Sequence, residues 1–191
     1  MVTNLPNLLT FSRIVAMVLV VGLMSMDPPR GNWLALAAYI YACLTDFFDG
    51  YLARVLDQQS ALGRFLDPIA DKLLVSGVLL MLAATNAVTG FAIIPAIIIL
   101  CREILVSGLR EFLAETQVSV PVSNLAKWKT TLQMIALGFL IVNEAGPDFG
   151  LLTTSEIGVY GLWIAAILTL VTGYDYLRTG MKHINDADSR N

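Results

Sequence analysis

Histidine occurs once in the 191 residues, cysteine twice, and charged side chains make up only 14% of the chain. The lone histidine, His183, lies in the polar segment after the last apolar stretch, which argues against a histidine-built metal centre. Cys43 and Cys101 both fall inside apolar stretches, so no disulfide framework is expected and both read as packing residues. No Lys or Arg precedes the first apolar run, Arg13 falls inside it, and no small-residue cleavage pattern follows; the first helix is expected to be retained. Internal repeats and low-complexity segments are missing as well. The formal charge of −3 says little, because in a membrane protein the position of each charge matters more than the total. No nucleic-acid partner is expected.

What the chain has in excess is apolar surface: 57% of residues are hydrophobic and the mean hydropathy is +0.71. That balance suits a chain whose solvent is a bilayer. A spanning helix takes roughly 20 apolar residues, so about six spans with short loops account for the whole length and leave no room for a soluble domain. Apolar density and breakers place them at residues 5–26, 33–55, 62–85, 91–114, 124–144 and 156–178. The expected fold is an all-α integral membrane protein of six transmembrane helices, a single domain over residues 1–191. Short connections make successive helices antiparallel. Lys and Arg collect at the second and fourth loops and after the last span, with only Arg30 on the opposite side, so both termini are expected in the cytoplasm.

Four acids interrupt this pattern. Residues three and four apart share a helix face, which puts Asp46, Asp49, Gly50 and Ala53 on one stripe of the second helix. Asp67 and Asp71 form a stripe on the third, with Gly63 a turn earlier. Because the short loop makes these helices an antiparallel pair, the two stripes can face each other at one membrane depth, and four carboxylates then converge. Four carboxylates in a low-dielectric setting are costly unless cations neutralise them or they take up protons. All-oxygen ligation suits Mg²⁺ or Mn²⁺ better than Zn²⁺, and two such ions make a clamp for in-line phosphoryl displacement. Gly50, Ala53 and Gly63 leave room for a nucleotide and its phosphates; alone, they would read as small residues for helix packing.

At these residues the sequence resembles the CDP-alcohol phosphotransferase family, whose signature is D-x-x-D-G-x-x-A-R, eight residues, then G-x-x-x-D-x-x-x-D. Asp46, Asp49, Gly50, Ala53, Arg54, Gly63, Asp67 and Asp71 match it with that spacing. The resemblance implies that the four aspartates hold two divalent ions on the pyrophosphate of a CDP-linked lipid, with Gly50, Ala53, Arg54 and Gly63 beside it. It also implies that Asp71 is the general base for an attacking alcohol, that CMP leaves, and that the protein is a homodimer.

The flanking segments, Asn4 to Arg13, Arg102 to Arg110 and Lys127 to Gln133, resemble the phosphatidylglycerophosphate synthase branch of that family. The donor implied is CDP-diacylglycerol and the acceptor sn-glycerol 3-phosphate. Arg102 lies too deep in its span to be an interface anchor, and Arg110 follows two turns later near the same face, where both can grip one phosphate. Lys127 and Lys129 either complete that pocket or anchor the helix at lipid headgroups. Asn7, Thr10 and Arg13 recur every three residues, offering contacts to the cytidine or lipid phosphate, or simply a polar surface. Two rivals remain: a relative using serine, inositol phosphate or phosphatidylglycerol as acceptor, and a divalent cation transporter. A transporter calls for acids at the midplane and polar residues leading to both sides, whereas these acids and bases gather in one half. A bacterial-type inner membrane, with the active site facing the cytoplasm, is the expected location.

Overall fold

The computed structural model describes residues 5–55, 61–115 and 124–188, with side-chain surroundings for residues 8–48, 63, 65–114 and 125–181. Six helices follow one another: α1 (Leu5–Met24), α2 (Arg30–Val55), α3 (Ala61–Ala84), α4 (Ile93–Glu115), α5 (Asn124–Val142) and α6 (Thr154–Asp188). Each falls on an expected span. The expected all-α bundle is what the chain forms. Among the described residues, Gly90–Ala114, Leu125–Ala145 and Thr154–Met181 are long and apolar enough to cross a membrane, and Leu8–Met24 is a shorter apolar helix.

The largest departure is α6, which runs ten residues beyond the expected end, to Asp188. No Pro breaks the segment after Arg178, so the helix continues as a polar extension once its apolar stretch is complete. Its start is fixed by a reciprocal cap: the Glu156 amide donates to the Thr153 hydroxyl at 3.2 Å, and the Thr153 amide donates to Glu156 Oε2 at 2.8 Å. At the end of α3, Asn86 takes a left-handed conformation (φ 58°) and the Val88 amide closes back on the Leu82 carbonyl at 3.0 Å.

One interior runs through all six helices. It is built from small and branched residues such as Ala16, Val20, Ala42, Val78, Leu137 and Ala165. Large apolar side chains are also abundant outside, among them Val15, Ile40, Phe47, Leu80, Ile104 and Ile167. A face of that composition has lipid as its natural solvent, since a water-facing surface this apolar would associate.

The helix order in space differs from the expectation in one respect. α2 and α3 were expected to face each other directly, yet among the described residues they touch at most marginally, and α1 packs along both. A short loop makes two helices neighbours in sequence without obliging them to pack. Polar residues on α1 favour its insertion here, because it brings Thr10 and Arg13, 1% and 0% exposed, to the acids.

Candidate active site

The polar interior lies at the end of the bundle where α1, α3 and α5 begin and α2, α4 and α6 end. Arg13 Nη1 stands 2.6 Å from Asp46 Oδ1 on α2 and 3.8 Å from Asp71 Oδ1 on α3. One turn earlier on α1, the Thr10 hydroxyl donates to Asp67 Oδ1 at 2.6 Å. Carboxylates from two helices are therefore gathered around one buried guanidinium. Ordinary surface polarity is excluded for Thr10 and Arg13, whose stripe faces the acids. Asp46 and Asp71 remain partly open, with side chains 35% and 47% exposed, so a soluble ligand can reach them.

Asn7, Asp49, Gly50, Ala53 and Arg54 lie on helices but outside the residues whose side chains are described. Gly63 is buried. Among the described residues no three acids stand close enough to enclose an ion unaided. The donor set nonetheless fits a hard divalent cation, being carboxylate oxygens in a net negative, partly open cluster.

A second cluster adjoins the first through Asp71. A cavity of about 400 Å³ is lined by Asp71 and Lys72 of α3, by Arg102, Glu103, Ser107 and Arg110 of α4, and by Thr130 and Gln133 of α5. Arg102 is 12% exposed and donates to the Thr172 hydroxyl of α6 at 3.2 Å, with a longer 3.5 Å contact to Glu103. Its Nε has no partner among the described residues. Gly173 makes room for the arginine stem, since a Cβ there would stand 3.1 Å from Arg102 Cγ. Arg110 is exposed and lies over the Tyr176 ring at 6.0 Å. Asp71 and two guanidinium groups thus share one chamber with Lys72, Glu103 and Glu111, and the guanidiniums have the chemistry to hold an anion beside the Asp71 carboxylate.

The two lysines part company. Lys127 is exposed, whereas Lys129 is 2% exposed and bonded to Glu103, and neither appears among the described lining residues. Residues two apart point to different sides of a helix, which separates them.

The sequence profile of the CDP-alcohol phosphatidyltransferase family matches residues 3–171. The chain belongs to the CDP-alcohol phosphatidyltransferase family. Among its relatives, the CDP-diacylglycerol–glycerol-3-phosphate 3-phosphatidyltransferase of Rickettsia bellii is 46% identical over 180 residues, covering 94% of this chain and 97% of that protein. The proteins of the same name from Cereibacter sphaeroides and Shigella flexneri are 37% and 34% identical, each covering 96% of this chain and 98% of the relative.

Several polar residues of this phosphatidyltransferase-family site were not singled out from the sequence. Lys72 lines the cavity and its ammonium donates to Ser107. Glu103 also lines the cavity, and an acid inside an apolar span is itself a signal. Gln133 lies one turn from Lys129 on α5, and that spacing was the available clue.

Proposed function

We propose that the protein transfers the phosphatidyl group of CDP-diacylglycerol to sn-glycerol 3-phosphate, giving phosphatidylglycerophosphate and CMP at the cytoplasmic face of a bacterial-type inner membrane. The observation that carries this reading is the cavity uniting Asp71 with Arg102 and Arg110. Relatives of nearly equal length that bear that enzyme's name support it further.

In this reading Arg102 and Arg110 hold the acceptor's phosphate and aim its free hydroxyl at the acid cluster. Asp71 takes the hydroxyl proton as the oxygen attacks the phosphorus next to the diacylglycerol, the pyrophosphate P–O bond breaks, and its electron pair leaves with CMP. Asp46, Asp49, Asp67 and Asp71 would hold Mg²⁺ or Mn²⁺, two ions in all, whose bound charge neutralises the pyrophosphate. Arg13 and Thr10 keep three of those carboxylates in place. An apolar groove of about 450 Å³ between α2 and α5 reaches Cys43 and Leu44, about one turn from Asp46, and suits an acyl chain of the donor. Both termini lie in the cytoplasm and the protein works as a homodimer.

The test is CMP release by purified protein from CDP-diacylglycerol and glycerol 3-phosphate, with Mg²⁺ and with EDTA. Release is expected only with the metal, and Asp71→Asn should lower it by roughly 10²–10⁴-fold, the range of general-base catalysis. Ion flux without CMP release would replace this reading with cation transport. CMP release only with serine or an inositol phosphate would move the chain to a different acceptor.

A further inference from the structure

Gln133 lines the cavity from α5 and is only 3% exposed, and its Oε1 is buried without a hydrogen-bond partner among the described residues. A buried carbonyl left unpaired costs about 1–3 kcal/mol, so an atom in that state beside a ligand cavity points to a ligand that supplies the missing donor. Among the other polar walls, Lys72 donates to Ser107, Thr130 donates to the Ala126 carbonyl, and Glu103 accepts from Lys129. Arg102 and Arg110 attract an anion, and Asp71 accepts the proton of the reacting hydroxyl. None of these roles meets the need of Gln133 Oε1, which offers lone pairs alone. A phosphate dianion has no proton to give it. A second, non-reacting hydroxyl does.

Resting on the phosphatidyl-transfer reading, we propose that Gln133 selects the acceptor by accepting a hydrogen bond from its secondary hydroxyl. Glycerol 3-phosphate carries one hydroxyl besides the one that reacts. Sites built to bond a substrate hydroxyl discriminate strongly against analogues that lack it, because the buried protein group is then stranded. Gln133 is on this view a specificity-determining residue, distinct from the arginines that recognise charge.

The test compares two acceptors, sn-glycerol 3-phosphate and 3-hydroxypropyl phosphate, which has the phosphate and the primary hydroxyl but lacks the secondary one. With CDP-diacylglycerol and Mg²⁺, CMP release gives kcat/KM for each. Unsubstituted protein should prefer glycerol 3-phosphate by roughly 10- to 100-fold. Gln133→Met should remove most of that preference by losing activity on glycerol 3-phosphate alone, with KM for CDP-diacylglycerol unchanged. Equal use of both acceptors by the unsubstituted protein, or an equal loss on both in Gln133→Met, overturns the proposal and leaves phosphatidyl transfer standing. No CMP release with either acceptor would instead sink the reading of function. Should Gln133→Met fail to fold, Gln133→Glu keeps an accepting oxygen: its preference should persist even as the added charge lowers both rates, and its disappearance overturns the proposal.

Discussion

Replacing Arg13 with methionine tests whether this one side chain holds the acid cluster together. The guanidinium is 0% exposed and touches carboxylates on two helices, at 2.6 Å and 3.8 Å. Removing one member of a fully buried ion pair costs about 3–5 kcal/mol, chiefly from the stranded charge. Here the stranded carboxylates are 35% and 47% exposed, so water recovers part of that loss and about 2 kcal/mol is expected. In a chain of this size that lowers the melting temperature by roughly 4–8 °C. The assay is thermal unfolding in detergent, first with EDTA and then with Mg²⁺. A cation on the same carboxylates neutralises the charge that Arg13 no longer meets. At a hundred times its dissociation constant, a ligand stabilises the folded state by about 2.7 kcal/mol. Mg²⁺ should therefore raise the variant's melting temperature more than that of the unsubstituted protein. An Arg13→Met protein as stable as its parent in EDTA, or identical Mg²⁺ shifts in the two, would refute the idea that Arg13 and the metal answer the same charges.

Arg102→Ala should raise KM for glycerol 3-phosphate by about 10-fold or more, the worth of a charge-assisted bond, and change KM for CDP-diacylglycerol little; equal effects on both would remove Arg102 from the acceptor site. Glu103→Gln and Lys129→Met should each destabilise, because each strands the other charge in a low-dielectric setting, while the double substitution should recover about 1 kcal/mol or more of the summed loss. Thermal unfolding of the four proteins gives the coupling, and strict additivity would show that the contact contributes nothing.

The helices were legible because a bilayer demands long apolar runs, and breakers such as Asp27-Pro28-Pro29 and Gly146-Pro147-Asp148 separate them cleanly. The spacing of Asp46 with Asp49, and of Asp67 with Asp71, carried the acid stripes. Periodicity names the residues that share a face, but not the helix that face meets. The Thr10 and Arg13 stripe was therefore visible while its target was not, and α1 emerged against both acid-bearing helices. Lys129 illustrates the same limit: its burial follows from Glu103, 26 residues away on another helix. Apolar residues were harder still. Core and lipid both favour them, so Val20 inside and Val18 outside look alike in the sequence.

Charge balance then bears on how two clusters coexist at one end of the bundle. Among the described residues, the acid cluster sets Asp46, Asp67 and Asp71 against one buried base, Arg13, and is net negative; in the neighbouring cavity Lys129 pairs with Glu103 from behind, which leaves Lys72, Arg102 and Arg110 facing Glu111 and the shared Asp71. Partial internal neutralisation lowers the cost of holding so many charges within an apolar bundle. The charge left over sets the sign of the ligand that each cluster suits. An acidic residue of charge calls for a cation, and a basic one for an anion, while Asp71 belongs to both clusters and marks where their ligands meet. Under the proposed function, a neutral acceptor would occupy the cavity and leave its basic walls uncompensated. An acceptor carrying its own phosphate completes the balance, which is the electrostatic reason to favour glycerol 3-phosphate over serine.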